Sequence, residues 1–221
     1  MEVFMKDISK RIKALFFLRA IFLISIIAGF GSFLVEGIAL SFGEGHAFSE
    51  GGAMTLMVFT GIFTALRLLV IVLSAATFIL TMKINKECLA AFFTAIGAAV
   101  LAIAAGVLVY TQGTAQAGFS LELVSGIAIA ISTFLLIDGI FDQQARKTPL
   151  FKFAMLGICL MVIASVISFI VYFVKTPEGL LGAVYSAGQV TYIISSITLF
   201  LAIHLCLQEI RNYQESEAIE Q

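Results

Sequence analysis

Apolar residues run almost unbroken through six stretches of this chain, 14–40, 54–82, 89–111, 119–140, 150–174 and 180–207, and polar residues gather in the short segments between them. A helix needs about 20 apolar residues to cross about 30 Å of hydrocarbon, at ~1.5 Å of rise per residue. Each stretch is long enough, so the pattern predicts an all-α polytopic membrane protein, a six-transmembrane-helix bundle built as three helical hairpins in series. The chain then divides into an N-terminal segment, 1–13, a transmembrane domain, 14–207, and a polar tail, 208–221. The first stretch is about twice the ~7–15 residues of a secretory signal core, so it reads as a permanent helix.

Glycine and proline refine this picture. The three odd-numbered loops all contain glycine, among them Gly43, Gly45, Gly51, Gly52, Gly113, Gly118, Gly179 and Gly182. A small residue followed by glycine recurs in the even stretches, at Thr60-Gly61, Ser125-Gly126 and Ala187-Gly188, which fits a hairpin period. Pro149 and Pro177 fall at helix starts, where a missing amide hydrogen is harmless, so the helices are expected to be continuous. Proline-interrupted helices of the kind that bind substrate in many secondary transporters are therefore not expected. The third stretch, with Ala95, Ala98, Ala99, Ala102 and Gly106, has the small residues that let membrane helices approach closely, and is expected at the centre. The first and fifth, with Phe16, Phe17, Phe22, Phe151, Phe153, Phe169 and Phe173, are expected to face lipid.

With 61% apolar and 12% charged residues, no soluble globule could hide its greasy surface. The net charge of −1 conceals an asymmetry, because ten of the thirteen basic residues lie on one side. Lys6, Lys10, Arg11 and Lys13 precede the first stretch, Lys83 and Lys86 follow the second, Arg146, Lys147 and Lys152 follow the fourth, and Arg211 follows the sixth. The positive-inside rule then puts both termini in the cytoplasm of a protein integral to the plasma (inner) membrane.

Cys88, Cys159 and Cys206 are too scattered for a disulfide framework or a metal site and read as packing residues. His46 and His204 fall on opposite sides and cannot share a haem or a metal. Paired carboxylates, nucleophile motifs and HExxH-type ligands are lacking, so no catalytic residue, metal or cofactor is assigned. The partners expected are the lipid bilayer and other integral membrane chains or further copies of this one, with no nucleic acid.

A charge that did not need to be in lipid is the most informative residue. Arg67 lies deep in the second stretch, where a guanidinium that cannot lose its proton costs about 2.5–3.5 kcal/mol to insert. Thr60, Thr64, Arg67, Ser74 and Thr81 share its helix face by spacing. Stripes elsewhere run through Ser25, Gly29, Ser32 and Glu36, through Glu122, Ser125, Ser132 and Gly139, and through Tyr185, Gln189, Tyr192 and Ser196. Their convergence would create a polar interior, with Arg67, Thr64, Ser132, Asp138, Gln189 and Tyr192 as the candidate site. Arg67 would present a fixed positive charge to an anionic ligand, lipid headgroup or permeating ion, pair with Asp138 or with a carboxylate on a partner to set helix register, or snorkel toward lipid headgroups. Counted from the outer ends, Glu122 stands ~15 Å above Arg67, too far to pair with it. The expectation is a non-enzymatic subunit or assembly component of a membrane complex, with a small transporter or channel built around Arg67 as the alternative.

Overall fold

The computed structural model describes residues 2–43, 50–111, 115–141, 145–173 and 178–219. Six helices account for nearly all of them: α1 Glu2–Gly43, α2 Glu50–Thr81, α3 Lys86–Tyr110, α4 Ala115–Ile140, α5 Pro149–Phe173 and α6 Glu178–Ile219. One turn of 3-10 helix, Ala145–Lys147, leads into α5. Each of the six holds a segment long and apolar enough to cross a membrane: Ser9–Val35, Met54–Thr81, Lys86–Leu108, Ala117–Ile140, Pro149–Ile170 and Ser186–Asn212. His46, Glu44, Gly45 and Gly113 lie outside the described residues.

Both α1 and α6 reach 42 residues, well past the apolar stretches that predicted them. The segments expected as separate ends, 1–13 and 208–221, are therefore largely helical extensions. Hydropathy marks the part of a helix that suits lipid, whereas termination needs a breaker, and neither 2–13 nor 208–219 contains glycine or proline.

The most extensive contacts join α1 to α2, α3 to α4 and α5 to α6, as three hairpins require. The hairpins are joined side by side through α1 with α6 and α4 with α5, whereas α2 and α3 touch only slightly. The order around the bundle is thus α2, α1, α6, α5, α4, α3.

Two expectations about individual helices are corrected. α3 is peripheral rather than central, packing on α4 and touching α2 only slightly. Its buried alanines, Ala91, Ala98 and Ala105, recur every seven residues and so form one stripe. Ser132 and Ser125 of α4 donate to the Ala91 and Ala98 carbonyls across that seam, each at 2.9 Å. A Cβ on Gly97 or Gly106 would meet nothing, so small side chains made one close seam and left the remaining faces open. α1, by contrast, is embedded rather than lipid-facing, with half of its apolar window buried. Its phenylalanines divide as the helix turns: Phe22 enters the core, while Phe16 and Phe17 stay exposed.

The core lies toward the end that carries both termini. Leu15, Leu18 and Ile21 of α1 meet Ile137 and Ile140 of α4, Ile158 of α5, and Leu199 and Ile203 of α6. The C-terminus of α4 closes this end. A helix leaves its last four carbonyls without partners, and here each one is satisfied. The Ile137 carbonyl accepts from the Phe141 amide at 3.0 Å. That of Asp138 accepts from Arg146 at 3.1 Å, that of Gly139 from Asn85 Nδ2 at 2.7 Å, and that of Ile140 from Arg11 at 3.4 Å. Asn85 also caps α3, its Oδ1 accepting from the Cys88 amide at 2.9 Å. One helix end thereby ties together α1, the α2–α3 turn and the α4–α5 connection. The two arginines suit the negative end of the helix dipole.

Candidate functional site

The opposite half of the bundle is less tightly filled. A half-open cavity of about 400 Å³ lies between α1, α2, α5 and α6, with Arg67, Ser25, Ser165, Ser168, Gln189 and Tyr192 supplying its polar lining. Arg67 donates to the Ser32 hydroxyl of α1 at 2.8 Å. The Tyr192 hydroxyl is within side-chain hydrogen-bonding reach of Ser25 and Ser196 and near enough to feel the Arg67 charge. Among the described residues, no carboxylate lines this cavity. Its chemistry is that of one fixed cation among hydroxyls, an amide and apolar walls.

Close packing shapes these walls. The Phe63 ring of α2 lies directly against Gly31 of α1, where any Cβ would collide with it. A Cβ on Gly29 would come to 3.0 Å from Ile193 of α6, and one on Gly188 to 3.2 Å from Ser168 Oγ of α5. These glycines let α1 and α6 hold their neighbours close enough to enclose the cavity.

Of the six residues singled out in the sequence, three meet here: Arg67, Gln189 and Tyr192. The other three do not. Thr64 is exposed, and its hydroxyl donates back to the Thr60 carbonyl at 2.8 Å, which satisfies it within its own helix. Ser132 is buried in the seam with α3, so the polar stripe of α4 is largely a packing device. Asp138 does not pair with Arg67. Its carboxylate lies 3.0 Å from Arg146 Nε, at the end of the bundle that holds the termini. Counted from the end that holds the termini, Asp138 lies 2 residues from Ile140 and Arg67 14 residues from Thr81, a difference of ~18 Å along the helices; α2 and α4 also scarcely touch, and Arg146 arrives on a connection only eight residues further along.

No family, curated protein or solved structure matches the chain. The site is therefore read on its own geometry.

Ser165 and Ser168, three residues apart on α5, were not singled out in the sequence although both line the cavity. The signal was their i, i+3 spacing in an otherwise apolar helix, which puts both hydroxyls on one face. Both also line a second cavity of about 300 Å³, between α3, α4 and α5, whose ionisable residue is Glu122.

Proposed function

We propose that this is a small, non-enzymatic transport protein that receives the anionic group of its ligand at Arg67, from the end of the bundle opposite its termini. The observation that carries the reading is the guanidinium lining a cavity of about 400 Å³ that contains hydroxyls and, among the described residues, no carboxylate. That volume falls in the ~300–1,000 Å³ range of small-molecule sites. An Arg in an apolar helix is expensive to insert, and a cavity around it gives its charge a use beyond register. The packed core and the tied end of α4 form a floor below the cavity, which suits a carrier open at one end and closed at the other. The basic residues of the closed end support its placement on the cytoplasmic face of the plasma membrane.

Access from one side is the direct test. In a chain with Cys88, Cys159 and Cys206 replaced by alanine, Gln189→Cys should react with a membrane-impermeant maleimide in right-side-out vesicles and stay protected in inverted ones. Equal labelling from both sides, or labelling only in inverted vesicles, would remove the proposal.

A second reading, an integral subunit or assembly component, is favoured by α2. None of its apolar window is buried, and a Cβ on Gly61 would meet nothing within 4 Å. That open face suits another membrane helix, from this chain or a different one. The mass of the detergent-purified particle checks it: a partner or a second copy should raise it above the 23.8 kDa of one chain, and a strictly monomeric particle would argue against it.

A further inference from the structure

The second cavity changes the chemistry of the first. Glu122 of α4 is an exposed carboxylate in an apolar helix, lining a space shared with Phe119, Phe169, Ser165 and Ser168. Among the described residues it makes no hydrogen bond or ion pair. Ser165 and Ser168 face both cavities, so the cation of one and the anion of the other look onto the same pair of hydroxyls. Ser165 donates to its own helix, to the Met161 carbonyl at 3.1 Å, whereas the Ser168 hydroxyl has no partner among the described residues.

Depth measured from the closed end agrees. Arg67 lies 14 residues from Thr81, the last of α2, or ~21 Å along the helix. Ser165 lies 16 residues from Pro149 and Ser168 19, or ~24 and ~28 Å. Glu122 lies 18 residues from Ile140, or ~27 Å. The two opposite charges are therefore at similar height, on either side of the serine face of α5, and they do not pair with each other. Among the described residues neither has a counter-charge beside it, and each would be expensive to hold so in a low-dielectric setting.

We infer that the two cavities form one site for a zwitterion, with its oxyanion on Arg67 and its ammonium group against Glu122. This rests on the anion reading of Arg67 and narrows it. A ligand carrying both charges neutralises both residues at once, whereas a simple anion leaves Glu122 uncompensated and repels it. Ser168 can turn its hydroxyl to either group of the ligand. Phe119 and Phe169 line the same space, and an aromatic ring attracts an ammonium more strongly away from water. The ligand class is a phosphate- or carboxylate-bearing primary amine, whether part of a lipid headgroup or free in solution.

Native mass spectrometry of the full chain in dodecyl maltoside tests this. The lipid probes are phosphatidylethanolamine and phosphatidylglycerol, and the free probes are O-phosphoethanolamine and inorganic phosphate. In at least one pair the zwitterion should bind about tenfold more tightly than its anionic counterpart, which corresponds to ~1.4 kcal/mol. The pair that shows the preference identifies a lipid or a free solute as the source. Glu122→Gln should remove that preference by losing the ammonium's partner, while Arg67-dependent binding of the anionic probe persists and tightens as the repelling carboxylate is lost, which also shows that the variant is folded. If the zwitterion is not preferred in either pair, or if Glu122→Gln leaves the preference unchanged, the zwitterion site is overturned and the anion reading survives. If binding of every probe is indifferent to Arg67→Gln, both fall.

Discussion

Arg67→Leu should weaken phosphatidylglycerol binding by more than about tenfold, as expected for a charge-assisted contact of ~1.5–3 kcal/mol, while the protein still accumulates in the membrane. The two halves of this result have separate causes. The guanidinium is exposed, and among the described residues its hydrogen-bond partner is Ser32, so its removal strands no buried partner there. Leucine also suits an apolar helix, and it removes an insertion penalty of about 2.5–3.5 kcal/mol. Binding, by contrast, loses the one cation that lines the cavity among the described residues. Arg67→Lys should fall between, since lysine restores the charge without the planar fork that grips an oxyanion at two points. Membrane accumulation and native mass spectrometry read the two effects separately. A leucine variant that binds like the parent would remove the site, and one that fails to accumulate would make Arg67 a folding residue instead.

Gly139→Val should be the most damaging single change to the fold. A Cβ at 139 would lie 2.6 Å from Cys88 Sγ, 2.8 Å from Asn85 Oδ1 and 3.1 Å from the Cys88 backbone nitrogen. The backbone of α3 cannot give way as a flexible side chain could. The α3–α4 hairpin must therefore open where Asn85 both caps α3 and holds the Gly139 carbonyl. Overpacking of this kind costs about 1–3 kcal/mol, and an orphaned buried carbonyl adds about 1–3. The melting temperature in detergent should drop by about 5 °C or more, taking ~2–4 °C per kcal/mol. Asn85→Ala should reproduce a smaller part of the drop, because it loses the same two hydrogen bonds without forcing the helices apart. A valine variant that melts with the parent would show that the closed end is looser than this packing implies.

The architecture was legible because lipid imposes a simple rule. Every backbone polar group must be satisfied within the helix, so a long apolar stretch has one outcome, and six stretches separated by short loops pack first with their neighbours. Packing partners beyond the hairpins were not legible. Alanine content marked α3 as a close-packing helix, but close packing on one side, at Ala91, Ala98 and Ala105, is enough to use it. The basic residues beside the loops were read for orientation alone, yet Arg11 and Arg146 also satisfy the end of α4. A charge that orients a chain and a charge that caps a helix have the same sequence appearance.

The candidate site was half legible for a related reason. Helical spacing told which residues share a face, and Arg67, Gln189 and Tyr192, grouped on that basis, line one cavity. It could not tell whether a polar face lines a space, as at Tyr192, or forms a seam, as at Ser132, because serine serves both purposes. Depth was misread for Glu122 because it was counted from the outer loops. From those ends Arg67 lies 17 residues past Glu50 and Glu122 only 7 past Ala115, since α2 overshoots its neighbours. Counting from the tied end of the bundle removes most of that mismatch.

The measurement closest to the central claim is an experimental density map of the protein in a lipid nanodisc, inspected at the Arg67 guanidinium. A headgroup or solute density is expected there, bounded by Tyr192 and Ser168, above a closed floor at Gly139. A guanidinium paired with a carboxylate of the chain, or projecting into acyl chains beside a collapsed cavity, would contradict it.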